Sequence, residues 1–457
     1  MSKILGCFVV AALVIGCSPK SATEESPGKP VKLITLDPGH FHAALIQKVM
    51  YNDIDSNVHV YAPQGADLKM HLDRINGYNS RADNPTRWNE IIFSGDHFFE
   101  RMLAEKPGNV VVLSGNNQRK TEYILKSLDA GLNVYADKPM VIDAEGFKQL
   151  EKAFEVAKKN KVTLYDIMTE RFEITTVLQR ELSRMPDIFG ELEKGTPENP
   201  AITKESIHHF YKLVSGSVLT RPAWFLDTDQ QGEGIVDVTT HLVDLVQWEA
   251  FPDQSLDYKK DIAITSARRW TTDIPLSKFK TITKLDAFPE YLKKNVVSDS
   301  ILKVSSNGEI NYQLRGVNAR TSVIWNYESK DGSGDTHYSI MRGTKANLVI
   351  RQGAEEQYKV TLYIEPVGGI TKAYEDALAQ AFTTLQNNYE GVGMIKNKKG
   401  WTVTIPDRYK EGHEAHFGRV TEKFIDYLLH NNMPEWEVPN MLAKYYTTTQ
   451  ALEMSKK

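Results

Sequence analysis

The chain has only two cysteines, Cys7 and Cys17, in 457 residues. Both precede the first globular pattern. The folded part therefore has no thiol for catalysis, no disulfide and no cysteine-ligated zinc. An excess of charge of one sign is also missing. Lys and Arg number 55 against 59 Asp and Glu, a net charge of −4, with no long run of like charge. That excludes a nucleic-acid-binding surface. Beyond the N-terminus no apolar stretch reaches the roughly 20 residues of a membrane span. There is no internal repeat and no extended low-complexity segment. The H-E-x-x-H metal motif is absent as well. His40 and His42, and His413 and His416 beside Glu414, are close in sequence but do not match it, so no metal is expected. What remains is ordinary: 41% hydrophobic and 25% charged residues, in a length that suits two or three domains.

The N-terminus reads as a targeting segment. Lys3 supplies a positive start, Ile4 to Ile15 a short apolar core, and Leu13-Val14-Ile15-Gly16-Cys17 follows at once. This resembles the lipobox of bacterial lipoproteins, which implies cleavage before Cys17 and lipidation of Cys17. An N-terminal anchor or an uncleaved secretory signal is the alternative. Residues 18–30, rich in Ser, Pro, Glu and Gly, suit a flexible tether. The expectation is a signal peptide over 1–16, a tether over 17–30 and a lipid-anchored protein of the bacterial cell envelope.

From residue 31 strands and helices alternate. Val31–Leu36, Val58–Ala62, Asn109–Ser114, Asn133–Ala136 and Val162–Tyr165 read as strands. Phe41–Met50, Phe98–Leu103, Thr121–Asp129 and Ala144–Lys159 read as helices, and 64–90 reads as irregular. Alternation of this kind predicts βαβ units and a parallel sheet over 31–166. Residues 167–457 form a second domain. Short β-rich runs at 261–275 and 300–365, separated by turn signals such as Asn307-Gly308 and Asp331-Gly332, predict a mostly antiparallel sheet. Helical patterns close the chain over 372–457. The fold class is α/β: a Rossmann domain followed by an α/β domain with a large open sheet.

The first turn, Asp37-Pro38-Gly39-His40-Phe41-His42, is where a pyrophosphate would rest on helix-start N–H groups. Its G-x-G-x-x-G fingerprint is degraded to Asp37, Gly39 and His42. The acid expected at the end of the second strand is missing too; Tyr61-Ala62-Pro63-Gln64 stands there, and Asp67 comes later. A strand–turn–helix without nucleotide is the competing reading. Another segment, Gly232 to Trp248, opens on two glycines and becomes regularly apolar. Asp237 and His241 are four apart, on one face if the segment is helical. They form either an acid/base pair or a packing pair.

Three stretches in this order resemble the Gfo/Idh/MocA family, the glucose–fructose oxidoreductase and inositol dehydrogenase relatives. They are Val110 to Asn117, Ala130-Gly131-Leu132-Asn133-Val134-Tyr135-Ala136-Asp137-Lys138-Pro139, and Gly232 to Trp248. Ala130 to Pro139 resembles A-G-x-x-V-x-x-E-K-P with Asp137 for Glu. Gly232 to Trp248 resembles G-G-G-x-x-x-D-x-G-x-H-x-x-D-x-x-x-W with Glu233 and Thr239 for two glycines. The resemblance covers roughly residues 31–365. It implies a nicotinamide cofactor, NAD favoured over NADP, a sugar or cyclitol substrate, and a homo-oligomer. By position it makes Lys138, Asp237 and His241 the catalytic trio. It places Gly39, His40, Phe41, His42, Gln64, Ser114, Asn116, Asn117, Asp137 and Lys138 around the cofactor. The family's histidine a few residues past Asn117 is replaced around Lys120.

The chemistry suits those residue types. A neutral His241 can take a hydroxyl proton, and Lys138 can stabilise the developing alkoxide. Asp237 can orient sugar or imidazole. Arg221 and Trp224, with Glu170-Arg171-Phe172, are candidates to line a sugar pocket, Trp224 by stacking its apolar face; core packing or a surface ion pair is the equal alternative. Free NAD(P) is not expected outside the cytoplasm, so a tightly bound cofactor is expected. Two other readings stay open: an NAD-dependent glycoside hydrolase using transient oxidation, and a sugar-binding lipoprotein without catalysis.

Overall fold

Strands β1 (Leu33–Leu36), β4 (Val110–Leu113) and β6 (Leu164–Ile167) are buried at every residue. Strands buried at every residue belong in a parallel sheet covered on both faces. The chain, as a computed structural model, is described over residues 29–214, 217–329 and 334–457. The signal-peptide assignment, most of the tether and Cys17 lie outside those residues, as does Asp331-Gly332. With β2 (Asn57–Ala62), β3 (Asn89–Ser94) and β5 (Asn133–Asp137) the order is β3-β2-β1-β4-β5-β6. All the pairings are parallel. This is the doubly wound order, and its switch point lies between β1 and β4.

Two parts of this domain differ from the sequence reading. The helix expected over Phe41–Met50 shrinks to α1 (His42–Leu45) followed by turns. The segment 64–90 contains a full helix, α2 (Ala66–Ser80), and the first residues of β3 follow it. Strand β3 is largely solvent-facing, so it has no apolar run to reveal it. Helices α3 (Phe98–Glu105), α4 (Lys120–Asp129) and α5 (Ala144–Asn160) complete the layer. After β6 come a 3₁₀ turn, Thr169–Phe172, and α6 (Ile174–Ser183).

The second domain is a ten-stranded sheet among the described residues. Its pairings are antiparallel except one, between β7 (Ile202–His209) and Val317–Asn326. β7 lies inside the sheet, outside the β-rich runs at 261–275 and 300–365 that the sequence shows. Its alternation of buried and half-buried residues includes Lys204 and His209, which a hydrophobic pattern does not register. Asn307-Gly308 is no turn. It lies inside the long strand Ile301–Leu314, where Gly308 pairs with Val323.

Gly234 and Gly308 serve a close approach. After the short helix α7 (Thr228–Gln231), helix α8 (Thr239–Ala250) packs over this sheet, and the Gly232–Val238 segment before it touches strand Ile301–Leu314. The Gly234 amide donates to Ser305 O at 3.0 Å. A Cβ on Gly234 would lie 1.8 Å from Ser306 O, and one on Gly308 2.6 Å from Ile235 Cβ. Gly234→Ala is therefore expected to push this segment off the sheet. A loss of about 1–3 kcal/mol is expected for such overpacking, read from the denaturant midpoint. The two departures from the family pattern have partners of their own. Glu233 pairs with Arg269 at 2.7 Å, and Thr239 Oγ1 donates to Gly234 O at 3.0 Å.

The last two helices also reach the parallel sheet, although Glu437–Ser455 packs on strand Ile262–Pro275 of the second sheet as well. Helix His413–His430 packs on β5 and β6: Phe424 stacks on Tyr135 with centroids 4.4 Å apart, and Tyr135 Oη lies 3.2 Å from Thr421 Oγ1. Helix Glu437–Ser455 brings Lys444, fully buried, between Asp166 of β6 and Asp244 of α8 at 2.7 and 2.9 Å. Arg171 joins the same network through Asp244 and Glu437. A buried ion cluster thus ties α8 to the end of the parallel sheet. No helix among the described residues is long and apolar enough to cross a membrane.

Candidate active site

The carboxyl ends of β4 and β5 face the start of α8 across a cavity of about 530 Å³. Lys138 stands just past β5, followed by a cis bond to Pro139. Its Nζ donates to Asp237 Oδ1 at 2.7 Å, and Gln231 Nε2 donates to the other carboxylate oxygen at 3.1 Å. Asp237 precedes α8 in a run of turns, and His241 lies in the first turn of the helix. Lys138, Asp237 and His241 all line the cavity. The expected trio is thus brought together from residues a hundred positions apart.

The pairing within it differs from the one spacing suggests. Asp237 gives its carboxylate to Lys138 and Gln231 rather than to the imidazole. His241 Nδ1 is buried without a hydrogen-bond partner. Burial, and then the Lys138 charge, push the His241 pKa well below its ordinary value. The imidazole is therefore neutral at pH 7 and able to accept a proton.

Of the residues placed around the cofactor, His40, Phe41, His42, Asn117, Asp137 and Lys138 line this cavity, as does Gly115. Ser114 is buried behind them, its hydroxyl on Asp137 Oδ2 at 2.9 Å. Asn116 and Asn117 hold the seam between domains. Asn116 Nδ2 donates to Gln230 Oε1 and Asn117 Nδ2 to Gln231 O, both at 2.7 Å. Gln64 is exposed on the turn after β2, outside the cavity. Lys120 is buried, with Nζ on the carbonyls of Asp137 and Pro139 at 3.0 and 3.2 Å. Burial pushes its pKa down to about 8, against the pull of Asp137.

The first turn carries a partial dinucleotide cradle. Asp37 adopts φ 50° and receives a hydrogen bond from Tyr123 at 3.3 Å, so its carboxyl turns away. Burial raises its pKa to about 6. A Cβ on Gly115 would strike Asp37 O at 2.1 Å, which is why this turn is bare. Asp67, in the first turn of α2, reaches the Gly39 turn: a Cβ on Gly39 would lie 3.0 Å from Asp67 Oδ2. Asp67 is thus the acid nearest this turn, with one carboxylate oxygen already engaged by Trp224 Nε1. The cavity residues His40, His42, Asn117, Asp137 and Lys138 suit the nicotinamide end of the cofactor.

Three assignments from sequence change. Trp224 does not line the cavity. Its Nε1 donates to Asp67 Oδ2 at 2.7 Å, and its ring covers Gly39. Aromatic walls come instead from Phe225 and Trp325. Arg171 is no substrate ligand. Its guanidinium is spent on Asp244, at 2.6 and 2.7 Å, and on Glu437, at 3.0 and 3.1 Å. Arg221 does line the cavity, but it donates to the carbonyls of Phe210 and His209 at 2.7 and 3.0 Å.

Sequence reasoning missed a polar wall opposite the trio. His208 Nδ1 lies 2.9 Å from Asp335 Oδ2, His209 Nδ1 3.3 Å from Asp335 Oδ1, and Lys212 pairs with the same carboxylate. Burial alone would raise Asp335; His208 and Lys212 outweigh it and hold it low. Glu170, which the sequence did offer as a pocket residue, faces the cavity too, and burial, then Glu173, push it up to about 7. His413 stands 3.9 Å from it. The only signal for this wall was the polar alternation along β7.

The family model described as "Putative oxidoreductase C terminal domain" matches residues 178–456. A crystal structure of a putative oxidoreductase from Parabacteroides merdae is 59% identical. That match covers 94% of this chain and 98% of the other, with a TM-score of 0.92. A putative myo-inositol dehydrogenase from Sinorhizobium meliloti is 14% identical over 93% of this chain and 97% of its own, with a TM-score of 0.54. A 3-ketoreductase from Actinomadura kijaniata, solved with NADP and TDP-benzene, is 13% identical over 91% and 95%, with a TM-score of 0.53. These distant likenesses show the shared fold. No curated protein matches the chain. With that domain over more than half its length and a near full-length relative, the chain belongs to the oxidoreductase family that carries this C-terminal domain.

Proposed function

We propose that the protein oxidises a secondary hydroxyl of a sugar, glycoside or cyclitol, or reduces the corresponding ketone, with a tightly held nicotinamide cofactor. The observation that carries this reading is the convergence of Lys138, Asp237 and His241 on one cavity at the carboxyl ends of β4 and β5. Distant relatives named as an inositol dehydrogenase and a 3-ketoreductase with NADP support it. The cofactor, when bound, accepts or returns hydride. The carboxylate of Asp67 favours NAD, since it would repel a 2′-phosphate.

The chain's own residues do the rest. His241 takes the hydroxyl proton. Lys138, held by Asp237, donates a hydrogen bond to the same oxygen and stabilises its developing charge. Phe225 and Trp325 give the sugar ring an apolar wall. His208, Lys212 and Arg221 give its hydroxyls polar and charged neighbours. The lipobox-like N-terminus supports a lipid-anchored, envelope-located enzyme, where a retained cofactor is the workable arrangement. A homo-oligomer formed through the open sheet accords with the family resemblance.

The test is to incubate the protein with a panel of sugars and glycosides. Oxidation yields a product lighter by two hydrogens. Intact substrate across the whole panel would count against the reading. Glu170 favours one alternative, a glycosidase that uses transient oxidation. Its pKa of about 7 leaves much of the carboxyl protonated at neutrality, as a leaving group's acid must be. If it acts so, glycoside cleavage falls as pH rises through about 7. Glu170→Gln then abolishes cleavage while oxidation of free sugars persists.

A further inference from the structure

Two histidines of the first turn converge on one carboxylate. His42 Nδ1 lies 2.9 Å from Asp137 Oδ2, and His40 Nδ1 lies 3.7 Å from the same oxygen. The three donor atoms all fall within 4.8 Å of one another. The His40–Asp137 distance is too long for a hydrogen bond, and the contact His40 Nδ1 accepts from the His42 amide is a long one, at 3.4 Å, which an ion would displace. The first distance is close to the separation of about 3.3 Å between two ligands that share a tetrahedral ion at 2.0–2.1 Å. The rings meet edge-on, with centroids 4.0 Å apart, so their nitrogens approach one point from different directions. All three residues line the substrate cavity beside Lys138 and His241.

We propose that His40, His42 and Asp137 bind a divalent cation, with Zn²⁺ as the ion that two imidazoles and one carboxylate suit best. The set is half-open. Three protein donors stand on one side, and the remaining position faces the cavity, where an oxygen of the substrate can enter. The surroundings are those of a built site. Ser114 Oγ donates to Asp137 Oδ2 at 2.9 Å and fixes the carboxylate from behind. The two nearby ammonium groups are already committed, Lys138 to Asp237 and Lys120 to main-chain carbonyls. The H-x-H spacing is no metal motif by itself. It becomes one because β1 and β5 end on opposite sides of the switch-point strand β4, which brings the turn over Asp137.

The test uses the full chain, stripped with chelator and titrated with ZnCl₂ by calorimetry, with bound zinc counted after equilibrium dialysis. About one equivalent per chain is expected. His40→Ala and His42→Ala lose it, and Ser114→Ala weakens it by about 10- to 100-fold. Lys138→Met and His416→Ala retain it. Circular dichroism melting confirms that each variant is folded, and His40→Ala, at a half-buried position, is the safest of them. No bound zinc in the unmodified chain, or equal binding by folded His40→Ala, overturns the proposal. Nucleotide content of the same preparation is assayed separately, so failure of the metal site and failure of the nicotinamide reading are distinguishable.

Discussion

Lys138→Met is expected to lower kcat by about 100- to 1000-fold while the cofactor stays bound. The lysine is the one trio member placed by the parallel sheet, and in the proposed reaction its Nζ, held on Asp237 Oδ1, is the donor to the reacting oxygen. Methionine keeps most of the length and removes the charge. Asp237 then retains Gln231 Nε2 as its hydrogen-bond donor at 3.1 Å. Asp237→Asn is the companion variant. It leaves Lys138 without its ionic partner and is expected to lose less rate than Lys138→Met. Steady-state kinetics with retained nucleotide as the control checks both. Unchanged turnover in Lys138→Met would show that the cavity performs different chemistry.

Arg171→Ala is expected to cost about 3–5 kcal/mol of stability, the usual consequence of stranding buried charges. The guanidinium holds Asp244 and Glu437, both nearly fully buried, and Asp244 also holds Lys444. Burial by itself would raise the Asp244 pKa, but Arg171 and Lys444 outweigh it and keep it below the ordinary value. The sign follows. A depressed carboxylate contributes stability above its unfolded pKa of about 4 and loses it as pH falls. The wild-type chain should therefore lose stability on acidification, and Arg171→Ala should lose less of its remainder. Urea midpoints at pH 7 and at about pH 2.5, inside the window between the unfolded and the folded pKa, read this out. A stable Arg171→Ala with a raised KM would return the residue to the substrate site.

The fold was legible where apolar runs are continuous. β1, β4 and β6 bury every residue, so their sequences announce a parallel sheet. β3 and β7 were not legible, because one faces solvent and the other carries Lys204 and His209. The candidate trio was legible through the motif resemblance around Lys138, Asp237 and His241; spacing alone left Asp237 and His241 as either an acid/base pair or a packing pair. The trio's internal pairing was not legible, since Lys138 and Asp237 meet only in space. Trp224 shows the same limit: a pocket-lining aromatic and an aromatic that covers a turn are alike in sequence. Asp67 was visible in the sequence, but its approach to the Gly39 turn was not, because it comes from a helix rather than from a strand end. Arg171 was misplaced because its partners, Asp244 and Glu437, lie 73 and 266 residues away.

The proposed activity rests on a nicotinamide cofactor held over Lys138 and His241. The most direct test is to purify the chain without added nucleotide, denature it, and assay the supernatant for NAD(H) and NADP(H). A nicotinamide nucleotide, NAD(H) rather than NADP(H), is expected to be released in proportion to protein. No nucleotide in the supernatant, together with no binding of either nucleotide in titration, would contradict it.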